Sequence, residues 1–279
     1  MKKLDSPKHE GIVIIGNGFD LNLGLKTSYS SFLRSNHFNR LVKLKHKLAI
    51  YLNNIQSLKN WIDVEKELKN YSNNNTDKID FLSEFKELSK ALSKFLEDLK
   101  LSDINTESAG YKLIQQIYET EHKTLFIDFN YTGTLKYILE KLRSEKDNQN
   151  NIEHVKIHGS IEKGDIIFGV EDDAEIDQNH IFLKKSVNKN FNPLDFSKSI
   201  SICNHLILFG YSLGDTDSMY FEDYFKESVK KENNQQKQQI LIYHHGEQSY
   251  FDIFSQIDKL TEKKVTKFKQ LNSVNIYDI

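Results

Sequence analysis

A short apolar run that ends at a pair of glycines limits the folds open to this chain of 279 residues. Residues 12–15 read Ile-Val-Ile-Ile and pass directly into Gly16-Asn17-Gly18. A short β-branched run ended by glycine is typical of a buried strand, and the two glycines let another group approach the backbone closely. Residues 11–16 are therefore predicted to form a first strand whose carboxyl end carries a tight binding loop.

Further apolar runs repeat this pattern along the chain. They predict strands at 124–129, 154–158, 165–170, 205–210 and 239–244, and helical patterns separate several of them, at 132–145, 216–231 and 247–261. Strands that alternate with helices indicate a parallel sheet that is covered on both faces. We therefore expect a doubly wound α/β fold with a mostly parallel sheet.

Residues 38–122 follow a different pattern. This stretch is rich in Lys, Leu, Glu and Asn, and its apolar residues recur at three- and four-residue spacing, as in amphipathic helices. We expect one α/β domain spanning residues 1–279, with a helical insertion or subdomain at 38–122. Because helical insertions often mediate assembly, the sequence leaves open whether the protein forms a homo-oligomer.

Polar and small residues follow four of the predicted strands. These loops are Gly16–Asp20, Phe129–Thr134, His158–Ser160 and Gly210–Asp215. One glycine after a strand is ordinary turn chemistry. Because ligands bind at the carboxyl ends of parallel strands, four such loops at one edge indicate a ligand site there.

The first loop departs from the dinucleotide fingerprint Gly-x-Gly-x-x-Gly, since Leu21 stands at the third glycine position. A helix that begins near Asp20 could still direct its N–H groups at a pyrophosphate. The alternative is a tight strand-to-helix turn in which Asp20 is only the N-cap.

Composition narrows the function classes. The net charge of −2 gives no field that attracts nucleic acid or an anionic membrane, and arginine occurs only at positions 34, 40 and 143. The one cysteine, Cys203, cannot build a disulfide framework or a cysteine-cluster zinc site. The longest apolar runs are far shorter than a bilayer span, and no secretory signal is visible, so we expect a cytoplasmic protein.

Five blocks along the chain resemble the AbiH family of bacterial phage abortive-infection proteins, in the family's order. The most specific is the opening block, GNGFDLNLGLKTSYSSF; the others are residues 61–65, 129–132, 157–160 and 210–215. The blocks are also similar, more distantly, to the sirtuin-like domains of bacterial defence NAD hydrolases. The resemblance implies a Rossmann-like, sirtuin-like NAD⁺-binding core with an embedded helical module, and an antiviral toxin that depletes the host cofactor.

The resemblance also implies roles for single residues. Asn130 and His158 match the catalytic Asn and His of the sirtuin-like group. The expected nucleotide contacts are Gly16, Asn17, Gly18 and Thr27 at the phosphates or ribose, Gly210, Ser212 and Asp215 on the adenosine side, and Phe19, Asp20 and Tyr131 beside them. Sirtuin deacylases carry a four-cysteine zinc module that this chain cannot build, which disfavours peptide deacylation.

Cleavage of the nicotinamide–ribose bond suits the two proposed catalytic residue types. The transition state resembles an oxocarbenium ion and the leaving nicotinamide is neutral, so no strong general acid is required. An Asn amide can position water or a ribose hydroxyl, and His is suited to accept a proton near neutral pH. The expected reaction uses NAD⁺ as substrate and requires no cofactor or metal; a phage-derived or partner-protein trigger is an open question.

Two alternatives stay open. The fold could bind NAD⁺ or a related nucleotide as a sensor or assembly module without turnover. It could also be a metal-dependent nuclease, with Asp20, Glu65, His158 and the acidic residues 171–177 around a metal. For Glu65, which lies four residues after Trp61 in WIDVE, we favour a solvated carboxylate on an amphipathic helix over one that reaches into the crevice.

Overall fold

A computed structural model describes residues 8–58, 63–145, 151–192, 194–214, 217, 220–230 and 237–279. Trp61 and Asp215, both singled out above, lie outside these residues.

The centre of the protein is a sheet of parallel strands. The strands are β1 (Gly11–Ile15), β2 (Thr124–Asp128), β3 (Ile152–Lys156), β4 (His205–Phe209), β5 (Gln239–His244) and β6 (Ser273–Asp278). Their order is β3-β2-β1-β4-β5-β6, and each neighbouring pair is parallel. This is the doubly wound Rossmann order, in which the direction of winding reverses between β1 and β4. The predicted α/β, Rossmann-like fold is confirmed.

Helices fill the connections between the strands. Between β1 and β2 lie α1 (Asn17–Asn22), α2 (Tyr29–Leu33), α3 (Asn36–Lys43), α4 (Lys47–Leu58), α5 (Val64–Asn73), α6 (Lys78–Glu97) and α7 (Ala109–Glu119). The later connections hold α8 (Thr134–Glu145), α9 (Ser197–Ile202), α10 (Glu222–Ser228), α11 (Gly246–Leu260) and α12 (Val265–Leu271). Within the described residues, no helix is long and apolar enough to cross a membrane.

Both faces of the sheet are covered by apolar side chains. On one face, Ile12 and Ile14 of β1 belong to a core that includes residues of α10 and α11. On the other face, Val13 and Ile15 pack in a core with α7 and α8. Alternate residues of one strand thus enter opposite cores, which explains why the central strands are apolar throughout.

A third core holds the helices that follow α1. Phe81, Phe85, Leu88 and Leu92 of α6 recur at three- and four-residue spacing and pack against α2 to α5. Burying each of these side chains stabilises the fold by about 1.5 to 3 kcal/mol. Chain far beyond α6 also joins this core, through Phe168, Val170 and Leu183 among others.

The predicted strand at 165–170 is wrong. Only an isolated bridge pairs Val170 with Lys184, and no strand forms in this stretch. Gly164 and Gly169 have positive φ angles, and Ile166, Phe168 and Val170 pack in the helical core instead of the sheet. Strand β6, by contrast, was not predicted, because an edge strand with alternating polar residues has little of the apolar signal of a central strand.

Candidate functional site

The loops after β1, β2, β3 and β4 lie at one edge of the sheet, because these strands are parallel and adjacent in the order β3-β2-β1-β4. We call this the carboxyl edge. The predicted convergence of the four polar loops is therefore confirmed.

The loops after β1 and β4 touch each other directly. The Gly18 N–H donates to the Gly210 carbonyl oxygen at 2.9 Å. A Cβ on Gly210 would lie 2.3 Å from the Gly18 carbonyl carbon, and Gly210 has a φ of +56°. A Cβ on Gly16 would lie 2.8 Å from the Gly210 carbonyl oxygen. These glycines thus have a packing role at the point where the sheet order reverses, and phosphate binding by them remains a prediction.

Helix α1 begins at Asn17, with Gly16 as its N-cap, so the alternative that made Asp20 the N-cap is wrong. Asp20 lies inside the helix and is buried. Asn17 is exposed, and its side-chain oxygen accepts a hydrogen bond from the Thr27 hydroxyl at 2.6 Å. Phe19 packs edge-on against Phe209 in the core, with 5.6 Å between the ring centroids.

The Asp20 carboxylate faces the loop after β2. It accepts a hydrogen bond from the Thr132 hydroxyl at 2.6 Å, and the Thr134 hydroxyl donates to Thr132 in turn. Its second oxygen is buried with no hydrogen-bond partner among the described residues. Burial, more than the nearby Asp128 carboxylate, raises the pKa of Asp20 to about 6.

A buried ion pair holds the backbone on both sides of Tyr131. The Lys156 ammonium lies 3.0 Å from the Asp128 carboxylate and donates to the carbonyl oxygens of Asn130 and Thr132. Burial alone would raise the pKa of Asp128, but Lys156 and His154 lower it. The Asn130 amide nitrogen is buried and has no hydrogen-bond partner within the described chain, so the structure does not join it to His158. This loop is held rigidly while the Asn130 amide keeps its donors free.

Five buried or nearly buried charged and titratable side chains meet above the carboxyl edge: Glu65, His158, Glu171, Lys185 and Asp217. We call them the ionic cluster. The Lys185 ammonium lies 2.8 Å from Glu171, 3.1 Å from Glu65 and 3.6 Å from Asp217. His158 Nε2 lies 3.1 Å from Asp217. Residues far apart in the chain thus form one site.

Local structure positions three members of the cluster. Glu65 lies in the first turn of α5, where the helix dipole favours a carboxylate, and Asp63 caps that helix by accepting the Lys66 N–H. His158 lies two residues after the end of β3, and its carbonyl oxygen accepts the Ile167 N–H at 2.8 Å. Lys185 is held through its own N–H, which donates to the Val170 carbonyl oxygen at 2.8 Å.

The carboxylates of the cluster differ in their pKa values. Burial raises the pKa of Glu171 to about 7 and also raises that of Glu65. Burial acts in the same direction on Asp217, but Lys185 and His158 outweigh it and lower its pKa to about 2. Burial would lower the pKa of Lys185, yet the three carboxylates raise it well above its ordinary value. Asp217 and Lys185 are therefore charged at neutral pH, and Glu171 titrates there.

Tyrosines line the cluster. The Tyr29 hydroxyl donates to the Glu65 carboxylate at 3.1 Å. The Tyr131 hydroxyl donates to the Ile167 carbonyl oxygen, and its ring centroid lies 6.3 Å from that of His158. Phe129 meets His158 edge-on at 5.3 Å. The imidazole is thus fixed by an aromatic neighbour on one side and a carboxylate on the other.

The structure brings only some of the predicted residues together. His158 belongs to the ionic cluster and Tyr131 lies beside it. Ser212 is exposed in the loop after β4, and Asp215 falls outside the described residues. Glu65 is a member of the cluster, so the interpretation that we favoured for it, a solvated carboxylate, is wrong.

Two members of the cluster, Lys185 and Asp217, were not among the candidate residues of the sequence analysis. Glu171 was a candidate only as one of the acidic residues 171–177 of the nuclease alternative. In the run 171–177, Asp172, Asp173 and Glu175 are exposed. No pattern in the sequence separates Glu171 from these neighbours.

The cluster carries more negative than positive side chains. Glu65, Glu171 and Asp217 surround a single lysine, which is only 3% exposed. An excess of carboxylates in a buried site favours bound or developing positive charge. Among the described residues, no group of three or more His, Cys, Asp or Glu side chains is arranged to hold a metal ion.

The comparisons with known proteins identify one family. The model of the family described as bacteriophage abortive infection AbiH matches residues 12–244, which span the sheet from β1 to β5 and every member of the cluster. A comparison with curated protein sequences gives no significant match. The chain therefore belongs to the AbiH family, whose role is abortive-infection defence against bacteriophage.

Proposed function

We propose that this protein is an NAD⁺ glycohydrolase that cleaves the nicotinamide–ribose bond at the ionic cluster and so removes the host cofactor during infection. The observation that carries the proposal is the buried excess of carboxylates beside His158 at the carboxyl edge. NAD⁺ carries its positive charge on the nicotinamide ring, and that charge passes to the ribose as the bond breaks. Glu65 and Glu171 would stabilise both.

The reaction consumes only NAD⁺ and water. The C1′–N bond breaks, and its electron pair stays on the ring nitrogen of neutral nicotinamide. A water oxygen bonds to C1′, and His158 accepts the proton that this water loses, so the products are ADP-ribose, nicotinamide and a proton. Asp217 lies 3.1 Å from the His158 ring and would orient it and stabilise its protonated form.

Asn130 would position the ribose or the attacking water. Its amide nitrogen has a free donor in the part of the chain that the structure describes, and Lys156 holds the backbone on both sides of it. The exposed side chains of Asn17 and Ser212, with Thr27 beside Asn17, would meet the phosphates and the adenosine half. The carboxylates of the cluster would thus bind the charged nicotinamide half of NAD⁺, and the exposed polar side chains would bind the phosphates and the adenosine half.

The first test follows nicotinamide release by chromatography after purified protein is mixed with NAD⁺, with and without EDTA. We expect His158→Ala to reduce the rate by about a hundredfold or more, the usual contribution of a general base. Glu65→Gln and Asn130→Ala should also release nicotinamide more slowly than the wild type. His37→Ala is the matched control, because His37 pairs with Asp98 on the helical block, and it should leave the rate unchanged.

Other outcomes would select the alternatives. Tight NAD⁺ binding without nicotinamide release, in the presence of extract from infected cells, would indicate a sensor or assembly module. DNA nicking that EDTA abolishes would indicate a metal-dependent nuclease. A rate that rises only on addition of infected-cell extract would support a phage-derived or partner-protein trigger.

A further inference from the structure

The ionic cluster lies where two parts of the fold meet. Glu65, Glu171 and Lys185 come from segments that pack in the helical core, through neighbours such as Val64, Val170 and Leu183. His158 and Asp217 instead follow β3 and β4 of the sheet. Lys185 is the member that contacts both sides, since its ammonium reaches Glu65 and Glu171 on one side and Asp217 on the other.

The Lys185 ammonium fills the centre of the carboxylates. Its longest ion-pair distance is 3.6 Å, to Asp217. A substrate cation that is to use the same carboxylates has to take the same place, because a second positive charge there would be repelled by the first. The lysine is therefore positioned as a competitor for any cationic group that binds at the cluster.

Lys185 lies at the end of a segment, residues 169–185, whose two ends are hydrogen-bonded to each other beside the cluster; we call this segment the strap. The Lys185 N–H donates to the Val170 carbonyl oxygen, and the Val170 N–H donates to the Leu183 carbonyl oxygen at 2.7 Å. A Cβ on Gly169 would lie 2.0 Å from that same Leu183 oxygen, so the two arms of the strap are in close contact. Further out, Ser72 of α5 holds the strap, since its hydroxyl accepts the Asp177 N–H and lies 2.9 Å from the His180 ring.

We propose that the Lys185 ammonium competes with the substrate for the carboxylates of the cluster, an inference that rests on the proposed function. The site then binds N-ribosylpyridinium cations, and it binds them only when Lys185 withdraws from the carboxylates. Replacement of the ammonium by a pyridinium leaves the net charge of the cluster unchanged, whereas entry of a neutral ring leaves three carboxylates without a cation. This exchange selects for cationic nucleotides. It also excludes the substrate for as long as the Lys185 ammonium stays among the carboxylates.

The test measures binding of the cation apart from catalysis. The probe is 1-methylnicotinamide, a pyridinium cation without ribose, titrated by calorimetry into the wild type, Lys185→Met and Lys185→Arg. We expect Lys185→Met to bind it about tenfold tighter or more than the wild type, since close desolvated charge pairs are worth at least that factor. Lys185→Arg keeps a cation in place and should resemble the wild type. Neutral nicotinamide should gain nothing from either substitution.

A second variant protects the test against misfolding. Loss of Lys185 leaves three carboxylates unpaired, so Lys185→Met/Glu171→Gln, which removes one of them, is measured beside it. It should also bind 1-methylnicotinamide more tightly than the wild type, by a smaller factor because one of the carboxylates that attract the cation is gone. Equal or weaker binding of 1-methylnicotinamide by a folded variant without Lys185, as judged by circular dichroism, would overturn the inference.

The same samples separate this inference from the proposed function. Tighter cation binding by Lys185→Met, with no nicotinamide release from NAD⁺ in any variant, would support the competitor role and count against hydrolysis. Nicotinamide release by the wild type that Lys185→Met abolishes, without tighter cation binding, would place Lys185 in the catalytic machinery and overturn the competitor role.

Discussion

Asp20→Asn tests whether burial of the charged carboxylate beside the glycine loop lowers the free energy of unfolding. Asp20 is only 1% exposed, and one of its oxygens accepts a hydrogen bond from Thr132. An Asn oxygen can accept the same bond, and the amide carries no charge. The substitution therefore removes the ionisation of this side chain, and its other change, an amide nitrogen in place of the oxygen without a hydrogen-bond partner, has an effect that does not vary with pH.

The size of the effect follows from the pKa of Asp20, which burial raises from 3.8 to about 6. The folded state binds the proton more tightly than the unfolded state, so this group's contribution to the free energy of unfolding falls as pH rises from 3.8 to about 6. The slope is about 1.4 kcal/mol per pH unit, and the total loss is about 3 kcal/mol, which is constant above pH 6. The Asn variant escapes this loss.

The assay is urea unfolding of the wild type and Asp20→Asn between pH 4 and pH 8. We expect similar stability near pH 4 and an advantage for Asp20→Asn that grows to about 3 kcal/mol by pH 7. Asp173→Asn, at an exposed aspartate, is the control and should show no such trend. An advantage that does not change with pH, or that favours the wild type at pH 8, would refute the reasoning.

Three further predictions address the loop contact, the cluster and the helical core. Gly210→Ala should destabilise the protein by about 1 to 3 kcal/mol more than Gly164→Ala in urea unfolding, because both have positive φ but nothing lies within 4 Å of a Cβ on Gly164; equal losses would contradict the loop contact. Because the pKa of Glu171 is raised to about 7, nicotinamide release should rise with pH through 7 as this carboxylate ionises, and Glu171→Gln should show a weaker pH dependence, since it lacks the part that Glu171 contributes; an unchanged pH profile in the variant would count against its role. Phe81→Ala should cost about 3 to 5 kcal/mol in thermal or urea unfolding, since Phe81 is fully buried, and a loss below about 1 kcal/mol would show that this core is not close-packed.

The parallel sheet was predictable because its central strands are buried on both faces. Runs such as Ile12–Ile15 and Leu206–Phe209 are apolar at every position, and a tight turn or a polar loop follows each. The same reasoning failed at 165–170, where Ile166, Phe168 and Val170 of another apolar run pack in the helical core instead of the sheet. Apolar character predicts burial, but it does not say against which neighbour a segment is buried.

Local patterns in the sequence are enough to predict the α/β class, the four loops at the carboxyl edge and the place of His158 at that edge. These patterns are the strand period, the glycine turns and a histidine at the end of a predicted strand. The meeting of Glu65, Glu171, Lys185 and Asp217 at that histidine is visible only in the folded chain. Three of these four residues are carried by segments that pack in the helical core, and the docking of that core on the sheet is set by long-range burial. No local spacing in the chain records such contacts.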